Sequence, residues 1–431
     1  MNKTLFLISA MAAAAALADG EDPQTPEVSD VTMAQTIDRM VTISYTLAKA
    51  PAIVTLDIET NGVSIGGANI DCLAGDVCRL IAQDGRHQMT WRPDVSWPNH
   101  KCDCRAVVTV WAPDSPPDYM VVDLKAGSGV DSLRFYPAAE FLPGGLAAND
   151  EYRNALLVMR KISAKNKTFT MGSTVENGRN ASREKAYSVT MPDDYYIGVF
   201  EVTQAQWMLM GKDNPSRFTN PDCKMFRPVD NVGYTEVRSH GSYANAYIDT
   251  AYDYPNDPHP NSFLGKLRTQ TGLLFDLPSE CQWEYACRAG NGERLWGDGS
   301  YMSGSSPDAQ LSRIARYAGT SALVSAYDTA EIAAADYTKG TAKVGSYAPN
   351  SWGLYDMHGN VVEFCLDMEV ADRTSYGAAV VRGETDNHQR IVRGGSYTAA
   401  ANDCRSAIRG SAWGVRGIYL GLRVACPVPS F

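Results

Sequence analysis

Between Val41 and Ile58 the chain alternates in polarity. Val41, Ile43, Tyr45 and Leu47 are separated by Thr42, Ser44 and Thr46; Val54, Leu56 and Ile58 repeat the pattern before Asn61-Gly62 marks a tight turn. A period of two is the signature of a strand with one buried face, because successive side chains point to opposite sides. Arg105 to Trp111 and Tyr119 to Leu124 read as further strands, split by the Pro-rich run 112–117. Short strands at this spacing predict an all-β sandwich of immunoglobulin or fibronectin type over residues 25–125. Cys72, Cys78, Cys102 and Cys104 all fall within it. Cys102-Asp103-Cys104 has the wrong gap for a zinc ribbon, so two disulfides are expected instead.

Ahead of this domain, Lys3 precedes an apolar run from Leu5 to Leu17, and Ala16-Leu17-Ala18 offers small residues at the two positions a signal peptidase reads. Residues 1–18 are therefore expected to be a signal peptide, with the mature chain beginning at Asp19 and exported to the periplasm, cell surface or medium. No transmembrane segment is expected, since no stretch supplies eighteen consecutive apolar residues. A net charge of −10 argues against nucleic acid as a partner, which needs clustered Lys and Arg. An even count of ten cysteines in an exported chain makes disulfides the expectation, without fixing their pairing.

Residues 126–150, rich in Gly, Ala, Pro and Asp, read as a linker. From 151 to 431 the texture changes to short helices among irregular stretches. Thr203 with Gln206 and Ser279 with Gln282 form capping boxes, and Thr235 is placed to cap a helix through Ala244-Asn245-Ala246-Tyr247. Trp283 and Cys287 share a face of the helix that follows Ser279, where packing is the simpler role for the indole.

One ordered series of motifs runs through this region. It comprises Phe169-Thr170-Met171-Gly172-Ser173, Gly198-Val199-Phe200-Glu201-Val202-Thr203, Pro228-Val229-Asp230-Asn231-Val232, Leu277-Pro278-Ser279-Glu280-Cys281-Gln282-Trp283-Glu284, Trp296-Gly297, and Gly353-Leu354-Tyr355-Asp356-Met357-His358-Gly359-Asn360-Val361-Val362-Glu363. Arg393-Gly394-Gly395-Ser396, Cys404-Arg405-Ser406 and Gly421-Leu422-Arg423 close it. In this order the series resembles the formylglycine-generating-enzyme (sulfatase-modifying factor) family. The resemblance implies an irregular α+β domain of the C-type-lectin-like kind over 151–431, behind the β sandwich.

The family's calcium ligands fall on the side chains of Asp356 and Glu363 and the carbonyls of Gly359 and Val361. Every one is an oxygen donor of the kind Ca²⁺ prefers, so Ca²⁺ is the expected cofactor. A second family position falls near Gly319, Thr320, Asp336 and Thr338, where only Asp336 offers a carboxylate, and no ion is expected there. His358 lies inside the calcium turn and is expected to pack rather than to catalyse.

Oxidases of the family bind Cu(I) through two cysteines five residues apart, a soft-ligand pair suited to that ion. Here the first falls on Ala399 and the second on Cys404, with Ser396 retained. Cu⁺ is therefore not expected, and Cys404 and Ser396 are what remains of the catalytic set. Beside Arg405 the Cys404 thiol could be activated; as a lone cysteine it is more simply a buried structural one. The resemblance also implies a disulfide between the 280s helix and the chain's end, here Cys287 with Cys426.

Two functions follow. One is a non-catalytic module presenting residues 398–420, with Trp413 and Tyr419 among small residues, to a protein, peptide or glycan. The other is a divergent enzyme of the family, an oxidase or maturation factor acting on a protein or small molecule.

Overall fold

The computed structural model describes residues 8–9, 25–126, 129–219, 223, 225–239, 250–321, 339–370, 372–382, 389–429 and 431. The chain divides into two compact units. One holds residues 1–122, 129–152 and 428–431, the other residues 123–128 and 153–427. The expected leader over 1–18 lies outside the described residues, apart from the two-residue strand Ile8–Ser9.

The first unit is built on two antiparallel sheets. Glu27–Gln35, Val41–Ala48, Gly85–Trp91 and Leu73–Gly75 are successive neighbours in one. Ala52–Thr60 organises the other, pairing with Val63–Ser64, Arg79–Ile81 and Arg105–Trp111. The alternation in the sequence maps onto burial: Ile43, Tyr45 and Leu47 of one sheet meet Val54, Leu56 and Ile58 of the other in a single core, with Met89, Trp91 and Val108. Apolar area removed from water in this way stabilises by ~25 cal/mol per Å².

Two expectations change here. Within the stretch read as a linker, Leu133–Tyr136 forms a strand antiparallel to Tyr119–Asp123, and Leu133, Phe135 and Leu142 are buried. Leu133 and Phe135 alternate with Arg134 and Tyr136, a period of two too short to stand out among the surrounding glycines. The expected disulfides are not formed: all ten cysteines are free thiols. Cys102 and Cys104 stand with their sulfurs 3.7 Å apart, while Cys78 is buried in the core and Cys72 is exposed.

In the second unit, Leu156–Ile162, Tyr195–Gly198 and Ala425–Pro427 pair side by side. Thr168–Met171 and Tyr187–Thr190 form a two-stranded ladder. Gly410–Ala412, Arg390–Arg393, Val362–Met368 and Leu420–Gly421 make a four-stranded sheet. The helices start where their caps lie. Thr203 accepts from the Gln206 amide and Gln206 reaches back to Thr203, opening Gln204–Leu209; Ser279 and Gln282 do the same for Glu280–Arg288. That second helix presents Trp283, Ala286 and Cys287 to a core shared with Met171, Ile197, Leu354, Met357 and Ile391. The Thr235 cap is a correction. The helix is Tyr234–Val237, the Gly233 amide is satisfied by Glu236, and Thr235 instead donates to the carbonyl of Gly414. Residues Ala244 to Tyr247 lie outside the described residues. No described helix is long and apolar enough to cross a membrane.

Candidate functional site

The turn from Asp356 to Glu363 is held in an unusual backbone path. Asp356 and Asn360 sit at φ of 59° and 61°, and Gly359 at 92°. A Cβ on Gly359 would lie 2.2 Å from the carbonyl oxygen of Arg316, so only glycine fits that approach. Asn360 fixes the turn from within. It accepts from Ala342 N at 2.8 Å, donates to Glu201 at 2.5 Å, and its own amide reaches the Arg316 carbonyl.

Three carboxylates meet around this turn. Asp356 Oδ2 accepts from the Gly345 amide at 2.7 Å, while the buried Oδ1 has no hydrogen-bond partner. Burial pushes the Asp356 carboxyl up to about 6, with the Glu363 charge adding to the effect. Burial, then Asp356 and Glu363, hold Glu201 well above the usual carboxylate range. Glu363 is spoken for: Arg423 donates to both of its oxygens, with a closest approach of 2.7 Å, and Trp283 Nε1 donates at 2.7 Å. Arg423, with Arg153 also acting on Asp356, faces three buried carboxylates, which leaves an excess of negative charge that a cation or a proton must offset. Asp356 Oδ1 thus fits the expected Ca²⁺, whereas Glu363 would have to share its oxygens with Arg423. Among the described residues no group of three or more His, Cys, Asp or Glu side chains is arranged to hold a metal by itself. Any ion here therefore depends on backbone carbonyls. Of the second expected position, Asp336 and Thr338 lie outside the described residues.

His358 sits between this turn and the place of the cysteines. Its Nε2 accepts from Gly297 N at 3.1 Å, so Nδ1 carries the proton and donates to the Cys404 carbonyl at 2.8 Å. Burial lowers its pKa to about 4. With both nitrogens engaged it is a neutral packing residue. Cys287 lies against it, 3.7 Å from Nε2 and 3.4 Å from Ser406 Oγ, and burial pushes that thiol up to about 12. Cys426 lies instead on the strand paired with Tyr195–Gly198, and both thiols are free, so the expected Cys287–Cys426 bridge is not formed.

Ser396 opens a tight turn: its hydroxyl lies 3.0 Å from that of Thr398, and its carbonyl accepts from Ala399 N. Ala399 and Cys404 then pack against one cluster with Trp296, Leu311 and Tyr317. Cys404 is fully buried beneath Gly395, where a Cβ would lie 2.7 Å from the sulfur. Burial, with Asp403 and Cys287, raises its thiol far above the ordinary range. Arg405 does not help it, because its guanidinium is held by Glu176 at 2.7 Å and Glu184 at 2.9 Å. The structural reading of Cys404 is the one its surroundings support.

The model of the sulfatase-modifying factor enzyme 1-like domain matches residues 154–428, well over half of the chain. The chain belongs to that family. Chaperone protein LppX of Paenibacillus barcinonensis is 29% identical over 240 residues, covering 53% of this chain and 79% of its own. The formylglycine-generating enzyme of Thermomonospora curvata is 33% identical over 157 residues, covering 35% of this chain and 48% of the enzyme. Among solved structures, Treponema denticola variable protein 1 is 24% identical, covering 63% of this chain and 96% of its own, with a TM-score of 0.46.

The family motifs also build something the sequence reading missed. Arg405 bonds Glu176 and Glu184; Arg288 lies 3.6 Å from Glu176 and 2.8 Å from Glu284; Arg393 meets Glu284 and lies 3.5 Å from Glu280. Arg409 and Arg373 reach the same Glu280 at 2.7 and 3.4 Å, and Arg373 ends the chain on Asp367 at 3.2 Å. These five arginines and five carboxylates are all buried. Burial pushes Glu280 up, but Arg393, Arg409 and Arg373 together hold it below the usual carboxylate range. Arginines recurring through the last quarter of the sequence were the available signal. Within residues 398–420, Trp413 and Tyr419 are 49% and 39% exposed, large apolar surfaces facing water.

Proposed function

We propose that this protein is an exported, calcium-stabilised member of the family that does not carry out the copper-dependent cysteine oxidation and acts as a ligand- or protein-binding module. The observation that carries this reading is Ala399. A methyl stands where the first thiolate would be, and the second, Cys404, is a buried, protonated thiol. Two thiolates at one Cu(I) are what the oxidation relies on. Ser396 carries a hydroxyl, a hard oxygen donor that lies 3.0 Å from that of Thr398, so it supplies no replacement soft ligand.

Asp356, Glu363 and the carbonyls of Gly359 and Val361 would hold Ca²⁺. The ion would supply the positive charge that the buried carboxylates call for, and so fasten the turn beneath residues 396–404. The similarity to a chaperone protein supports a binding role, and the small residues around the exposed Trp413 and Tyr419 give residues 398–420 the make-up of an adaptable contact surface. Export rests on the leader-like residues 1–18.

The test is Cu(I) titration and peptide turnover. Wild type should bind no stoichiometric Cu(I) and leave a Cys-x-Pro-x-Arg peptide unchanged, while Ala399→Cys should gain copper affinity. Formylglycine formation by wild type would overturn the proposal and favour the divergent-enzyme reading.

A further inference from the structure

Cys102 and Cys104 stand one residue apart in the first unit, just ahead of the strand Arg105–Trp111. A single intervening residue can leave two side chains on the same side of the chain, and here the two sulfurs face each other across 3.7 Å. A disulfide needs about 2.05 Å, so a side-chain movement of under about 2 Å would close the gap. The segment is free to make it. On one side the His100 ring is stacked on Trp97, with centroids 4.0 Å apart; on the other, Arg105 is held by Glu59. Between them, among the described residues, no backbone hydrogen bond ties Lys101, Cys102, Asp103 or Cys104.

Such a pair would make a poor structural staple. Closing a loop of one intervening residue removes little entropy from the unfolded chain, so it adds little stability. Strained or exposed bridges are the readily reduced ones, and their characteristic roles are regulatory or catalytic. The two thiols also differ. Cys102 is exposed and open to attack an incoming group, while Cys104 is half-buried. Burial, followed by its hydrogen bond to Cys102 and the charge there, pushes the Cys104 thiol up to about 12. Both contributions of Cys102 vanish once that sulfur has reacted, so Cys104 is easier to ionise for the second step than for the first.

We infer that Cys102 and Cys104 form a dithiol–disulfide exchange site, with Cys102 the attacking sulfur and Cys104 the resolving one. Cys102 loses its proton and attacks one sulfur of an external disulfide, R–S–S–R. The Cys102–S–S–R bond forms, the R–S–S–R bond breaks, and the released thiolate takes up that proton. Cys104 then loses its own proton and attacks the Cys102 sulfur. The bridge between the two cysteines forms, and the second thiolate leaves with the second proton. Two electrons pass from the pair to the external disulfide, which departs as two thiols. The reverse sequence reopens the bridge, with two thiols as the reductant. The site lies within the first unit and is independent of the binding-module reading.

The test equilibrates the full, reduced chain with oxidised glutathione, and separately with a disulfide-linked peptide, and reads intact mass and non-reducing peptide maps after an acid quench. Wild type should lose two hydrogens, with Cys102 joined to Cys104, and regain them in excess reduced glutathione. Cys104→Ser should halt with one glutathione on Cys102, and Cys102→Ser should react at least about tenfold more slowly. Cys72→Ser should match wild type, although Cys72 is the other exposed thiol. Exchange with either disulfide supports the site, and the faster of the two gives the class of partner. No bridge with either, a bridge that excess reduced glutathione leaves closed, or one that runs to Cys72 or to a second chain would overturn the assignment. Equal rates for wild type and Cys102→Ser would do the same. Should a variant fail to fold, the wild-type map alone still decides whether the bridge forms.

Discussion

His358 donates from Nδ1 to the carbonyl of Cys404 across 2.8 Å, so the turn expected to hold calcium and the turn bearing the family's second cysteine are joined by one side chain. Anything that moves one is felt at the other. The proton position is set by Gly297, whose amide can only donate and so leaves Nε2 as the acceptor.

The burial of that ring makes a pH prediction. The pKa of His358 falls from an ordinary 6.5 to about 4 on folding, because burial disfavours the charged ring. Between those values the unfolded chain binds more protons than the folded one, so stability falls as pH drops from about 6.5 toward 4. Urea unfolding in chelator at pH 7, 5.5 and 4.5 should show it as a larger acid loss in wild type than in His358→Gln, on a background that buried carboxylates with raised pKa values, Asp356 among them, tilt the other way. Equal slopes would assign the acid sensitivity to other groups.

Calcium should raise the melting temperature of wild type, since a ligand bound only to the folded state stabilises by mass action, about 2.7 kcal/mol at a hundred times its Kd. Asp356→Ala should abolish that increment and change little in chelator, because it removes the carboxylate that has an oxygen to spare. Glu363→Ala should behave differently and destabilise in both media. It leaves Arg423 buried without its partner, a change that costs about 3–5 kcal/mol. A wild-type melting curve indifferent to calcium would remove the metal from the account.

Glu280 should be the most sensitive member of the ion-pair lattice. Three guanidinium groups lean on it, so Glu280→Ala strands more buried charge than any other single cut. A loss of about 3–5 kcal/mol is expected, or roughly 6–20 °C in melting temperature for a domain of this size. Arg183→Ala, which breaks a half-exposed pair with Glu369, should cost under about 1 kcal/mol. Similar melting points for the two would contradict the buried network.

Thiol labelling provides a separate check. In the folded protein Cys72 and Cys102 are exposed and should alkylate quickly, whereas Cys281, Cys287, Cys365 and Cys404 are buried and should react only on unfolding. Rapid native labelling of Cys404 would reopen the reading of it as a reactive thiol.

What could be read from the sequence was local. Thr203 and Ser279 announce their helices because a cap acts over three residues, and the 41–58 alternation needs only neighbours to define a buried face. Ala399 was legible because the family motif fixes its count from Gly394-Gly395-Ser396. The lattice was not, since Arg405 and Glu184 lie 221 residues apart and no pattern in either segment names the other. Thr235 looked like a cap because its side chain suits that role. The folded chain uses Glu236 instead and spends the threonine on Gly414.

The lattice has a consequence for how the protein is made. Glu176 waits for Arg405, 229 residues later, and the Gly198 carbonyl for Arg423, 225 residues later. Until Arg405 and Arg409 have been made, Glu184 lacks its counter-ion and Glu280 its closest one, and neither can be buried without large cost. The second unit is therefore unable to settle one piece at a time during synthesis; it must wait, open, for the arginines from Arg373 to Arg409. A stop codon before Arg405 would leave Glu184 without its counter-ion and Glu280 without Arg409, and such chains belong to the slow, aggregation-exposed class of folders.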